Sequence, residues 1–92
     1  MKLYIVLSDE RENPNNVIIT TNKEEVALNA AAEYLQKQNI GKDNFWETVD
    51  EYLKDINYYD SFKEGILNFC NNAWLDSPIY IEYELDRKGN IK

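Results

Sequence analysis

Asn22–Asn39, NKEEVALNAAAEYLQKQN, is the clearest amphipathic stretch of this 92-residue chain, and its reading decides the fold. At 100° per residue Ala27, Ala30, Ala31, Tyr34 and Leu35 share one face, flanked by Leu28. Glu25, Asn29, Glu33 and Gln36 lie opposite. Alanines on the apolar side let another element approach closely, so the stretch reads as a helix laid across a sheet. Thr21-x-x-Glu24 and Asn22-x-x-Glu25 both carry the capping-box spacing at its start.

Upstream, Lys2–Ser8 (KLYIVLS) reads as a strand, with Leu3, Ile5 and Leu7 on one face and Tyr4, Val6 and Ser8 on the other. Both faces are largely apolar, as in a central strand. Asp9–Asn16 (DERENPNN) reads as a polar turn-rich loop. Its acids Asp9, Glu10 and Glu12 lack the glycine and closing glutamate of a calcium loop and are read as solvated. Val17–Thr21 (VIITT) is β-branched throughout and predicts a second, antiparallel strand.

Downstream, Gly41 suits a left-handed helix end. Asn44-x-x-Glu47 repeats the cap spacing and opens a predicted helix to about Tyr58, striped by Phe45, Val49, Tyr52, Leu53 and Ile56. Ser61-x-x-Glu64 opens a third helix to about Leu75, with Phe62, Ile66, Phe69, Cys70, Ala73 and Trp74 inward. One bent helix over 45–75 is the alternative. Trp46 and Trp74 are read as core residues. Pro78 ends the helical region, because proline disfavours helix in the residue before it. Ile79–Leu85 (IYIEYEL) alternates, placing Ile79, Ile81, Tyr83 and Leu85 inward and Tyr80, Glu82 and Glu84 outward.

The fold class expected is a single α+β domain over residues 1–92. Its order is β-β-α-α-α-β, with a three-stranded antiparallel sheet in the order 2-1-3. Two or three helices cover one face. The other face is then expected to carry Tyr4, Val6, Ile18 and Tyr80, beside Thr20 and Glu82, an apolar patch suited to a homodimer or another partner.

Net charge is −7, which argues against nucleic-acid binding, since that calls for a basic footprint. Residues 43–64 hold seven acids against Lys54 and Lys63, net −5, so most of the excess sits in mid-chain. Glu47, Asp50, Glu51 and Asp55 are read as one acidic partner-binding face able to imitate phosphates in a basic groove. No window is apolar enough for a membrane span, and the apolar run after Lys2 is too short for a signal peptide. A single cysteine, Cys70, suits a reducing compartment, and a cytoplasmic location is expected. Asn, Ile, Lys and Tyr supply 36 of the 92 residues, the usage of AT-rich genes in a low-GC bacterium or its phage.

The sequence holds no histidine and three glycines. Histidine-based catalytic triads and dyads, histidine metal sites and a glycine-rich phosphate loop are therefore not expected. No catalytic residue, metal or cofactor is assigned, and Cys70 among apolar neighbours reads as an inert thiol.

The run YIVLSDE…NNVIITTNKEEVALNAAAEYL…IYIEYELD resembles small bacterial and phage proteins. These open with a hairpin, cap an alanine-rich helix with Thr/Ser-x-x-Glu and close with a strand ending in Leu-Asp. Thr21, Glu24, Ala27, Leu85 and Asp86 carry the resemblance over about half the chain, and it implies a fold. The function expected is a non-enzymatic acidic protein-binding module, such as a phage or prophage inhibitor of a host protein. The alternatives are a homo-oligomer joined through the open sheet face and a small carboxylate-using enzyme.

Overall fold

A computed structural model describes residues 1–9 and 14–91. β1 (Lys2–Asp9) lies between β2 (Pro14–Thr21) and β3 (Ile79–Glu84), antiparallel to both, giving the order β2-β1-β3. Between β2 and β3 come α1 (Glu24–Asn39), α2 (Val49–Ile56) and α3 (Phe62–Cys70). The α+β class, the element order and the sheet order are those the sequence predicts. β2 starts at Pro14, three residues before Val17, so part of the expected loop is strand. The reading of Glu10, Glu12 and the Asp9 carboxylate as solvated lies outside the described residues.

α1 packs on β1 and β2, α3 on β3, and α2 against α3. Ala27, Ala31 and Leu35 are fully buried and Leu28 nearly so, which lets α1 settle closely onto the sheet. Beneath the helices lie Tyr4 and Val6, with Ile19 and Tyr80 packed against the same core. The far wall is aromatic. Trp46 is 1% exposed and meets Tyr52 edge-on at 4.9 Å and Phe69 at 5.2 Å between ring centroids.

This corrects the side-chain directions. Tyr4, Val6 and Tyr80 belong to the covered face, so the open face holds Leu3, Ile5 and Leu7 of β1 with Ile79, Ile81 and Tyr83 of β3. Strand alternation is obeyed, but period two cannot say which set faces the helices. Lys2, Glu82 and Glu84 share the covered side, at its solvent-reached end where Lys2 Nζ lies 3.2 Å from a Glu82 oxygen. Ile18 breaks alternation for a separate reason. Val6 pairs with Ile19 and Leu7 with Val17, so Ile18 is the extra residue of a bulge. It lines a groove with Ala30 and Tyr34 of α1.

Helix starts also differ. The Thr21 hydroxyl accepts from Lys23 N at 3.1 Å, turning the chain out of β2, and α1 begins at Glu24 with no side-chain cap. Asn44 is no cap either: its amide donates to Ile40 O at 3.0 Å, and Trp46 is drawn into a parallel bridge with Ile40. The chain therefore stays out of helix until Thr48, whose hydroxyl caps α2 by accepting from Glu51 N at 3.2 Å. Ser61 caps α3 as expected, accepting from Glu64 N at 3.1 Å. α2 and α3 are separate helices, but α3 stops at Cys70, and Trp74 stands in the following turn, 80% exposed rather than buried.

Candidate functional site

The open sheet face is an apolar surface that the helices do not cover. Residues directly opposite across an antiparallel pair share a face. The pairs Leu3–Tyr83, Ile5–Ile81 and Leu7–Ile79 therefore form three apolar rungs over β1 and β3, and β2 adds Thr20 beside Ile5 and Val17 beside Leu7. None of the six β1 and β3 side chains belongs to the core or packs against it; each is half-buried by its neighbours alone. Over these three rungs the face carries no charged side chain. The molecule measures 18 Å along its shortest axis, room for one sheet and one layer of helices. Solvent-facing strands normally alternate apolar-in with polar-out. Here the charged residues sit on the helix side and the apolar rungs face outward.

The acidic row predicted from spacing does not lie on a single helix. Glu47 precedes α2, while Asp50 and Glu51 occupy its first turn, where carboxylates favour the positive end of the helix dipole. Glu51 reaches back to accept from Glu47 N at 2.8 Å. Asp55 accepts from Trp46 Nε1 at 2.8 Å, giving the buried indole its polar partner. Two of the four acids thus hold local structure. The carboxylates of Glu47 and Asp50 are exposed and carry no hydrogen bond or ion pair among the described residues.

A second polar cluster lies at the Lys2 end of the sheet. Glu24 accepts from Lys63 Nζ at 2.8 Å and from the Tyr4 hydroxyl at 3.4 Å. The Lys63 hydrogen bond holds the Glu24 carboxyl below its ordinary value, and the same bond raises Lys63. Burial, reinforced by Glu24, pushes Tyr80 up to about 12, and its hydroxyl is buried without a hydrogen-bond partner among the described residues. Tyr4 is raised chiefly by burial too. Both phenols stay protonated at neutral pH, so neither serves there as a base. Cys70 is half-buried and burial lifts its thiol to about 11, far from the thiolate a nucleophile requires.

Among the described residues no group of three Cys, Asp or Glu side chains stands close enough to hold a metal ion, and no helix is long and apolar enough to cross a membrane. Strand alternation alone does not single out Leu3, Ile5, Leu7, Ile79, Ile81 and Tyr83 as the outward set. The one signal for them was β1's apolar character on both faces, more than helices on one side can cover. Compared with protein-family models, curated proteins and solved structures, the chain matches none.

Proposed function

We propose that this protein is a non-enzymatic interaction module that docks a second copy of itself through the Leu3/Ile5/Leu7–Ile79/Ile81/Tyr83 face. The observation that carries the reading is three apolar rungs on a sheet face with no helix over them. Such a face offers a partner no charge to pair with, so its best complement is equally flat and apolar. A second copy supplies that, and a two-fold pair is the commonest assembly. The net −5 of residues 43–64 lies in the segment that carries α2 and opens α3, across the sheet from this face, which limits repulsion between copies.

Strand spacings make the patch roughly 14 by 20 Å, about 560 Å² counted over both copies and below the roughly 1,200 Å² of standard interfaces. The expected pairing is therefore weak, with a Kd of about 100 µM. Sedimentation from about 1 to 200 µM should show a reversible monomer–dimer equilibrium. Ile5→Lys, at the centre of the face and outside the core, should stay folded by circular dichroism and stay monomeric. A parent chain that is monomeric throughout, or an Ile5→Lys variant that still dimerises, overturns the reading.

A second reading, occupancy of a basic groove on a host protein, rests on the free carboxylates of Glu47 and Asp50. It predicts a partner captured at low salt, released at high salt, and lost when Glu47→Gln and Asp50→Asn are combined. A complex indifferent to both changes excludes it.

A further inference from the structure

The two borders of the sheet differ in kind. The β2 border begins at Pro14, and its pairing with β1 shifts register twice. Proline and bulges are devices that keep further strands off an edge. β3 instead pairs with β1 in one unbroken register from Ile79 to Glu84 and holds no proline, glycine or lysine. A straight edge without such guards is a template for another strand.

The outward groups of β3 follow from its ladder. Leu85 N donates to Met1 O at 2.7 Å, which marks Met1 and Leu85 as a hydrogen-bonded pair in line with β1 and β3. Such pairs alternate along antiparallel strands, so Ile79, Ile81 and Tyr83 also turn their N–H and C=O groups to β1. Tyr80, Glu82 and Glu84 turn theirs outward. Past Glu84 the border is already taken, since Leu85 bridges Ile91 and Asp86 N donates to Asn90 O at 2.8 Å. This side of the strand therefore accepts antiparallel pairing. The outward backbone groups of Tyr80 and Glu82 meet no partner among the described residues.

A second β3 meets these requirements in one register. Let two copies be related by a two-fold axis normal to the sheet, so that equivalent faces lie on the same side. Residues then match face to face only when the axis passes through a residue. With Tyr80 on the axis, Glu82 faces the partner's Pro78, which has no N–H to give. With Glu82 on the axis, two carboxylates stand directly opposite, a destabilising pair. With Ile81 on the axis, Tyr80 faces the partner's Glu82, and the two exchange both N–H···O bonds. Symmetry repeats the exchange, so every outward group of Tyr80 and Glu82 is used. Ile81 meets the partner's Ile81 and Ile79 the partner's Tyr83, which carries the apolar rungs on into the second copy. Lys2 Nζ, 3.2 Å from a Glu82 oxygen, offsets the charge nearest the seam.

We propose that β3 pairs edge to edge with the β3 of a second copy, antiparallel and centred on Ile81, joining two three-stranded sheets into one. Both borders left over are then β2, and the guards on that strand end the growth at two. The seam lies in the plane of the sheet, apart from the stacking face, so either interface can fail alone.

So short a ladder gives an expected Kd of about 1 mM, above the range in which stacking is measured. The test follows amide signals of the ¹⁵N-labelled full chain from about 20 µM to 1 mM. The Tyr80 and Glu82 amide protons should move downfield as concentration rises while those of β2 stay in place. In a mixture of labelled and unlabelled chain, an isotope-filtered NOE should join the Ile81 Hα to the partner's Ile81 Hα. Ile5→Lys, which blocks stacking, should keep both signals. Glu82→Pro deletes an outward N–H and leaves the β1 ladder whole. It should lose the Tyr80 shift and keep the stacking equilibrium below 200 µM. Absence of the Tyr80 and Glu82 shifts at 1 mM overturns the pairing, whatever the fate of the proline variant. So do shifts that vanish with Ile5→Lys, shifts along β2 in their place, or a folded Glu82→Pro chain that still shows the Tyr80 shift. An NOE between Glu82 and the partner's Glu82 overturns the register.

Discussion

Gly65 lets the end of α2 come up against α3. A Cβ built there would lie 2.5 Å from the carbonyl oxygen of Ile56, the last residue of α2. From sequence the glycine reads only as a weak point, because alanine is worth about 1 kcal/mol more in a helix interior. The structure reverses that sign. Gly65→Ala gains helix propensity but must push the end of α2 away, and overpacking of this kind costs about 1–3 kcal/mol. A net fall in Tm of several degrees is expected by calorimetry, and a more stable variant would contradict the packing. Glu24 makes a second residue-scale case. Its carboxyl is held below the ordinary 4.5, first by the Lys63 hydrogen bond. A depressed folded pKa contributes stability that is fully present above 4.5 and lost as pH falls through the lower folded value. Both side chains are about 40% exposed, so the contribution is below about 1 kcal/mol. Glu24→Gln should melt slightly below the parent at pH 7 and level with it by pH 3. A gap unchanged at pH 3 would mean the carboxylate is not the cause.

At the scale of elements, α1 and β1 show what local sequence can specify. The 3.6-residue period of α1 located its buried stripe correctly, because helix and sheet meet along a single line. Ala31→Asp places an unpaired charge where Ala31 has no exposure, a cost of several kcal/mol that should unfold the domain. Folding with parental Tm would show the stripe misplaced. β1 was legible as a central strand, but not by orientation. Tyr4 and Val6 were as eligible for the open face as Leu3 and Ile5, and only α1's position decides. Two of three caps were misread for a related reason. Asn44 found a backbone acceptor four residues back in Ile40 O and Thr21 a turn at the end of β2, local bonds that compete with a cap. The Trp74 turn was illegible because its shape depends on Asn39, 37 residues from Asp76.

For the whole molecule, the separation of its surfaces matters most. The acidic segment, the apolar sheet face and the exposed Trp74 turn occupy different parts of a thin two-layer structure, so each can be substituted without touching the others. If copies pair through the sheet, folding and association are linked by mass action, and the melting temperature should rise with protein concentration. The Ile5→Lys variant should melt at one temperature from 1 to 200 µM. A parent with equally flat behaviour would leave the face without a partner of its own kind.

The extra residue at Ile18 has a consequence for where growth stops. An unbroken outer strand is a template onto which further strands can add, each addition exposing a fresh edge, which is how filaments elongate. The bulge displaces one residue from the outer strand's ladder and coils that border away from the flat geometry a new strand requires. Stacking of broad faces, by contrast, consumes the surface that drives it and ends at two. A chain lacking Ile18 would lose one of the two register shifts along this border, and its predicted failure is added strand pairing there rather than loss of the fold.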